Sequence, residues 1–255
     1  MSDAHEDENE WSGSAQALAV SLQTDRLVDI YVGEITTESR PYRVQQVVLE
    51  KLSEYFVVAL KRETFSEGPS GRLHFPDDDV DVWQVLLQWA IQRDVPHWEG
   101  IDEEIRISLL IRCWVTGDKY ALHDFQNEIM LEALMCFCGP VEDEDVYLGV
   151  KLTAPGSAFR CLMAEEMVFK VYTEKEVEFT DLNKLDGTMF MGDFLSAKQI
   201  LDEDNGAFST RARFGTQAEA HIGTGPGGVW KKFMVGDRVP QRAWRWETGW
   251  NAWCF

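Results

Sequence analysis

Few residues in this 255-residue chain stand at spacings that do chemistry. The histidines, His5, His74, His97, His123 and His221, are scattered, and none has a second ligand at a metal-binding interval. Among the five cysteines (Cys113, Cys136, Cys138, Cys161 and Cys254), Cys136 and Cys138 flank Phe137 near an expected helix end, where side chains two apart diverge. They read as ordinary buried or half-buried thiols. Gly223-Thr224-Gly225-Pro226-Gly227-Gly228 satisfies GxGxxG literally, but no strong strand precedes it, a proline sits inside it and too little chain follows for a dinucleotide fold. It reads as a turn. Asp202-Glu203-Asp204-Asn205-Gly206 places its glycine one position early for an EF-hand and is also expected to be a turn. No GxxxxGK[ST], HExxH or GxSxG occurs, so neither a cofactor, a metal nor catalysis is expected. An enzyme with a pocket in the C-terminal region is kept only as a minor alternative.

Charge narrows the partners. Lys and Arg number 24 against 44 Asp and Glu, a formal net charge of -20 that repels phosphate backbones and anionic bilayers. Nucleic acid and membrane are therefore poor partners for this chain. The charge is uneven: residues 206–255 hold seven basic and three acidic residues, so they carry +4 and the rest -24. An odd cysteine count, no CxxC and no N-x-S/T sequon point to an intracellular, reducing compartment, cytoplasmic or nuclear. The acidic N-terminus is the opposite of a leader sequence, and no apolar run is long enough to span a bilayer.

The elements that would position these residues follow from periodicity. Residues 1–24 read as an acidic arm and a short amphipathic helix with Ala15, Leu18, Ala19 and Leu22 on one face. Leu27 to Gly33 is the first strand and Tyr42 to Val44 its hairpin partner. Val48, Leu49, Leu52, Phe56, Ala59 and Leu60 keep a helical spacing, with Ser53 as a cap midway, and Gly68, Pro69 and Gly71 close that region. Leu73-His74-Phe75 is a short strand. Asp77, Asp78 and Asp79 then open the strongest helix, whose stripe Val82, Val85, Leu86 and Trp89, widened by Trp83, Leu87 and Ala90, predicts burial on most sides. Further helices carry Ile107, Leu110, Ile111 and Trp114, then Met130, Ala133, Leu134 and Phe137, stopped at Gly139-Pro140. Ser157 is expected to cap a helix with Phe159, Leu162, Met163 and Met167. Residues 181–255, which are rich in glycine and tryptophan, receive no fold from pattern alone.

The ordered set Asp29, Val32-Gly33, Tyr42-Arg43-Val44, Leu49, Ser53-Glu54-Tyr55-Phe56, Phe65-Ser66-Glu67, Leu73 to Asp79, Leu86-Leu87-Gln88-Trp89 and Trp114 to Tyr120, with Leu122 and Gln126-Asn127, resembles a BTB/POZ domain. The likeness is to the form found in many single-BTB fungal proteins and covers residues 25–138, with 139–180 as a helical extension. Gln45 stands where the family commonly has histidine, and Ala90-Ile91-Gln92 where a Tyr-Thr-Gly-like turn is usual. The resemblance implies an α+β fold, a small sheet packed with helices. It also implies a non-catalytic protein-interaction module that self-associates and serves as substrate adaptor for a cullin-type ubiquitin ligase. A corepressor scaffold without direct DNA binding is the alternative.

Three sets of residues carry that expectation. Phe65, Ser66 and Glu67 match a hydrophobic-x-glutamate motif that contributes to cullin docking; the bland reading is a covered ring and a solvated acid. Leu18 and Leu22 would lie in a two-fold homodimer interface or pack on their own subunit. Trp244, Trp246, Trp250 and Trp253 would dock on the acidic body, contact a partner or have no selected role.

Overall fold

In a computed structural model of the chain, residues 16, 19–20, 23–61, 67–96, 98, 100–137, 141–203 and 232–236 are described. The chain divides into two compact units, Met1–Arg93 and Asp94–Phe255. The boundary falls inside the stretch 25–138. Together the elements are mixed α and β, a three-stranded sheet and a majority of helices.

In the first unit, period-two alternation drives the sheet. Leu27–Val32 (β1) pairs antiparallel with Tyr42–Gln45 (β2), Val28 opposite Val44 and Ile30 opposite Tyr42. Arg72–Phe75 (β3) lies parallel to β1 on its other side, Ile30 opposite Leu73, which gives the order β2-β1-β3. Val28, Ile30, Val44, Leu73 and Phe75 are buried, whereas Asp29 and Arg43 form a cross-strand ion pair of 3.3 Å. A parallel neighbour requires a crossover. Gln46–Glu50 (α1), Glu54–Ala59 (α2) and Glu67–Ser70 (α3) lie along it. Gly71 enters β3 at φ +65°, a conformation that costs a glycine little, and its carbonyl accepts from the Asp29 amide at 2.9 Å.

The expected single cap at Ser53 is half right. Ser53 does occupy the extended position before α2, but its hydroxyl makes no capping bond and is buried without a hydrogen-bond partner. Gly68 and Pro69 do not simply end a helix either, because both lie inside the α3 turn.

Val80–Gln92 (α4) fills the core of this unit. The Asp79 carboxylate accepts from the amides of Asp81 and Val82, a side-chain cap at the positive end of the helix. Trp83, fully buried, stacks on Phe75 with centroids 4.6 Å apart and meets Phe56 edge-on, while its indole N–H donates to Asp78 at 2.8 Å.

The second unit is helical in its described residues. Glu103–Lys119 (α5), capped by Asp102, packs on His123–Cys136 (α6). A Cβ on Gly117 would stand 2.6 Å from the Gln126 side chain, so the glycine permits their close approach. Asp143–Leu152 (α7) and Ala158–Phe169 (α8) follow, and Ser157 Oγ accepts from the Arg160 amide as expected. Gly149 meets Met163 in the same intimate way, at 2.6 Å from a hypothetical Cβ to Sδ.

Beyond α8 come a π-helical turn, Lys170–Glu174, a 3-10 turn, Phe179–Leu185, and Phe190–Glu203 (α9). Part of the region without a predicted fold is therefore an ordinary amphipathic helix, burying Phe190, Phe194, Ala197 and Leu201 and packing on α8. Asp202 and Glu203, expected in a turn, are its last two residues, and Asp202 receives a bond from Lys198. The helical pattern continues past the glycine-rich start, which masked it.

Candidate functional site

In the first unit the exposed side of α2 and the end of β3 enclose a partly open cleft of about 500 Å³. Its walls are mainly apolar, from Tyr55, Val58, Ala59, Leu73 and Phe75, and Glu54, Glu67 and His74 supply its polar groups. Local folding explains the arrangement. On the six-residue α2, Phe56 and the following Leu60 turn inward, which leaves Tyr55 and Val58, each 40% exposed, on the outer face. Alternation in β3 sends Leu73 and Phe75 inward and His74 outward, where its Nε2 donates to the Gly33 carbonyl at 2.9 Å. Glu67, half-buried, opens α3 beside these side chains.

Of the residues expected to bind partners, Glu67 is thus placed at a cleft. Phe65 and Ser66 lie outside the described residues, as do Leu18, Leu22, Trp244, Trp246, Trp250 and Trp253. Near Leu18 and Leu22, the described Gln16, Ala19, Val20, Gln23 and Thr24 are helical and exposed. Sequence reading missed Tyr55 and Val58 as cleft residues. The signal was present: two large side chains on a short helix, on the face opposite its buried residues.

The second unit holds its polar groups in a different way. Arg160, 2% exposed, donates to Asp193 at 2.6 Å, to the Val150 and Thr153 carbonyls at 2.9 and 3.1 Å and to the Thr188 carbonyl. Lys170 is likewise buried and pairs with Asp143 at 2.7 Å. Asp145, in the first turn of α7, is 4% exposed and has a carboxylate oxygen with no hydrogen bond. Burial, aided by Glu104, Glu142 and Glu144, pushes its carboxyl up to about 6. Burial, with Asp143, Asp181 and Glu144, likewise pushes Tyr147 up to about 12. Cys161 is raised chiefly by burial and then by Asp193 and Glu165, with Lys232 and Arg160 opposing.

A short stretch distant in sequence, Lys232–Gly236, is seated on α6 and α8. Phe233 is 1% exposed, Val235 exchanges two backbone hydrogen bonds with the Asn127 amide side chain, and Lys232 pairs with Glu165. The contacts of Asn127 and Glu165 escaped the sequence reading because their partners lie far along the chain. Among the described residues no group of three His, Cys, Asp or Glu side chains is arranged to hold a metal ion, and no helix is long and apolar enough to cross a membrane.

No family model, curated protein or solved structure compared with the chain matches it.

Proposed function

We propose that this protein is a non-catalytic protein-interaction module of the BTB/POZ kind, and that the α2–β3 cleft is its docking face for a cullin-type ubiquitin ligase scaffold. The observation that carries this reading is the juxtaposition of Glu67 with an apolar cleft bounded by Tyr55, Val58, Leu73 and Phe75. Such a cleft accepts an apolar anchor from a partner, while Glu67 and Glu54 at the same place favour a cation or hydrogen-bond donor beside that anchor. The resemblance of residues 25–138 supplies the partner class, and the mixed α and β make-up with a small three-stranded sheet supports the reading. Self-association through the N-terminal helix belongs to the same reading, with Leu18 and Leu22 at the contact.

The test is titration of the purified full chain with a cullin N-terminal region. Wild type binds, and Val58→Asp, Glu67→Arg and Phe65→Ala each weaken binding about tenfold or more, as expected for the loss of a central anchor. Equal binding by wild type and all three variants would remove the site, and no binding by any would remove the adaptor reading. Light scattering of Leu18→Asp/Leu22→Asp against wild type separates dimer from monomer.

A further inference from the structure

The order β2-β1-β3 leaves β3 at an edge of the sheet. The carbonyls of Gly71 and Phe75 accept from the amides of Asp29 and Gly33, each at 2.9 Å, so Gly71, Leu73 and Phe75 turn their backbone groups toward β1. Alternation turns Arg72 and His74 the other way. The Arg72 amide is taken by Ser70 Oγ at 3.3 Å. Among the described residues, no hydrogen bond reaches the Arg72 carbonyl, the His74 amide or the His74 carbonyl, and both residues are exposed. Three polar backbone groups therefore line the outer rim of β3.

The cleft of about 500 Å³ runs along that rim. It touches Leu73 and Phe75, whose side chains point inward, and also His74, whose side chain points outward, and none of its described lining residues belongs to β1. A cavity that meets both faces of a strand, with the neighbouring strand excluded, lies along the free edge. Its opposite wall is the outer side of α2, from Tyr55, Val58 and Ala59. The described lining holds the carboxylates Glu54 and Glu67 and no lysine or arginine, and Glu54 is exposed.

These features define the occupant. A helix satisfies its own backbone and would leave the rim of β3 without partners, whereas an extended chain supplies a donor and acceptors at the matching repeat. The same chain sends alternate side chains to the side of Leu73 and Phe75, where the wall of α2 is apolar. We propose that the α2–β3 cleft receives an extended segment of a partner protein as a fourth strand beside β3, with apolar side chains entering the cleft and a basic residue beside Glu54. This mode of binding rests on the reading of the cleft as a docking face and gives the docking segment its form. The four residues of β3 limit the added strand to a short one, so side-chain anchoring in the cleft selects the sequence while the backbone sets its register.

The probe is a blocked hexapeptide, Arg-Val-Thr-Val-Thr-Val, titrated into the full chain. Two versions are compared, one N-methylated at its valines and one at its threonines. Only alternate amides face β3, so one version loses at least about tenfold in affinity and the other keeps it. His74→Pro removes the outward N–H but none of the bonds to β1, and it binds the peptide at least about tenfold more weakly than His74→Ala, which lacks the same imidazole. Native-state hydrogen exchange on wild type needs no variant: the His74 amide exchanges rapidly in the free chain and at least about tenfold more slowly with peptide bound. Equal affinity of the two methylated peptides, or a His74 amide already protected in the free chain, would overturn the proposal. A cullin N-terminal region that binds without protecting the His74 amide overturns strand addition and leaves docking at the cleft standing. A peptide that protects His74 while no cullin region binds supports strand addition and removes only the scaffold class.

Discussion

Arg160 on α8 and Asp193 on α9 form an ion pair of 2.6 Å in which the arginine side chain is 2% exposed. The guanidinium also ties down the carbonyls of Val150, Thr153 and Thr188, and the second Asp193 oxygen accepts from the Gly156 amide at 3.1 Å. One side chain thus closes the C-terminal end of α7, the turn before α8 and the start of α9. Breaking such a pair from one side leaves a buried charge and orphaned carbonyls.

Arg160→Met is expected to cost about 3–5 kcal/mol in urea unfolding. Arg160→Lys recovers only part of this, because one ammonium cannot span all four acceptors. A loss below about 1 kcal/mol for the methionine variant would show that the network contributes little.

Asp145 makes stability depend on pH. Its folded carboxyl titrates near 6 against an ordinary 3.8, so between those values the folded chain holds a proton that the unfolded chain has released. Its contribution is therefore unfavourable above pH 6 and is relieved as pH falls toward 4, by at most roughly 3 kcal/mol. Asp145→Asn removes the charge in nearly the same shape. The variant is expected to exceed wild type in stability at pH 8 and to match it near pH 4, measured by urea unfolding at both values; a difference independent of pH would refute the assignment.

Trp83 joins the sheet to α4 through Phe75 and caps that contact with its bond to Asp78. Trp83→Ala removes a fully buried indole and is expected to cost about 3–5 kcal/mol. Trp83→Phe keeps a ring but loses the donor, for about 1–2 kcal/mol. Chemical denaturation of the three proteins checks the order.

Where structure is local, the sequence was readable. Alternation in Leu27–Val32 and the carboxylates before Val80 announce a strand and a capped helix, because neighbours along the chain supply the partners of those backbone groups. The same holds for Ser157 before α8. The candidate cleft was legible only at Glu67, since nothing in a linear pattern reveals that the outer face of α2 and the end of β3 meet around open space. Asp143–Leu152 lies in the stretch 139–180 expected as a helical extension but was not delimited as a helix of its own, its three leading acids and Gly149 weakening an apolar stripe that burial of Val146 and Val150 completes.

The sequence by itself determined the alternating and helical elements, the acid-rich body against a basic end, and the absence of the familiar nucleotide and zinc-protease motifs, because these depend on residue type and short spacing. Only the tertiary structure decided that Gly117 and Gly149 are contact points between helices, that Arg160 is a buried tie and that Asn127 holds Val235. Each of these depends on which surfaces the chain brings together, with partners 7 to 108 residues apart in the hydrogen bonds and close approaches that define them, and no local propensity encodes such a meeting.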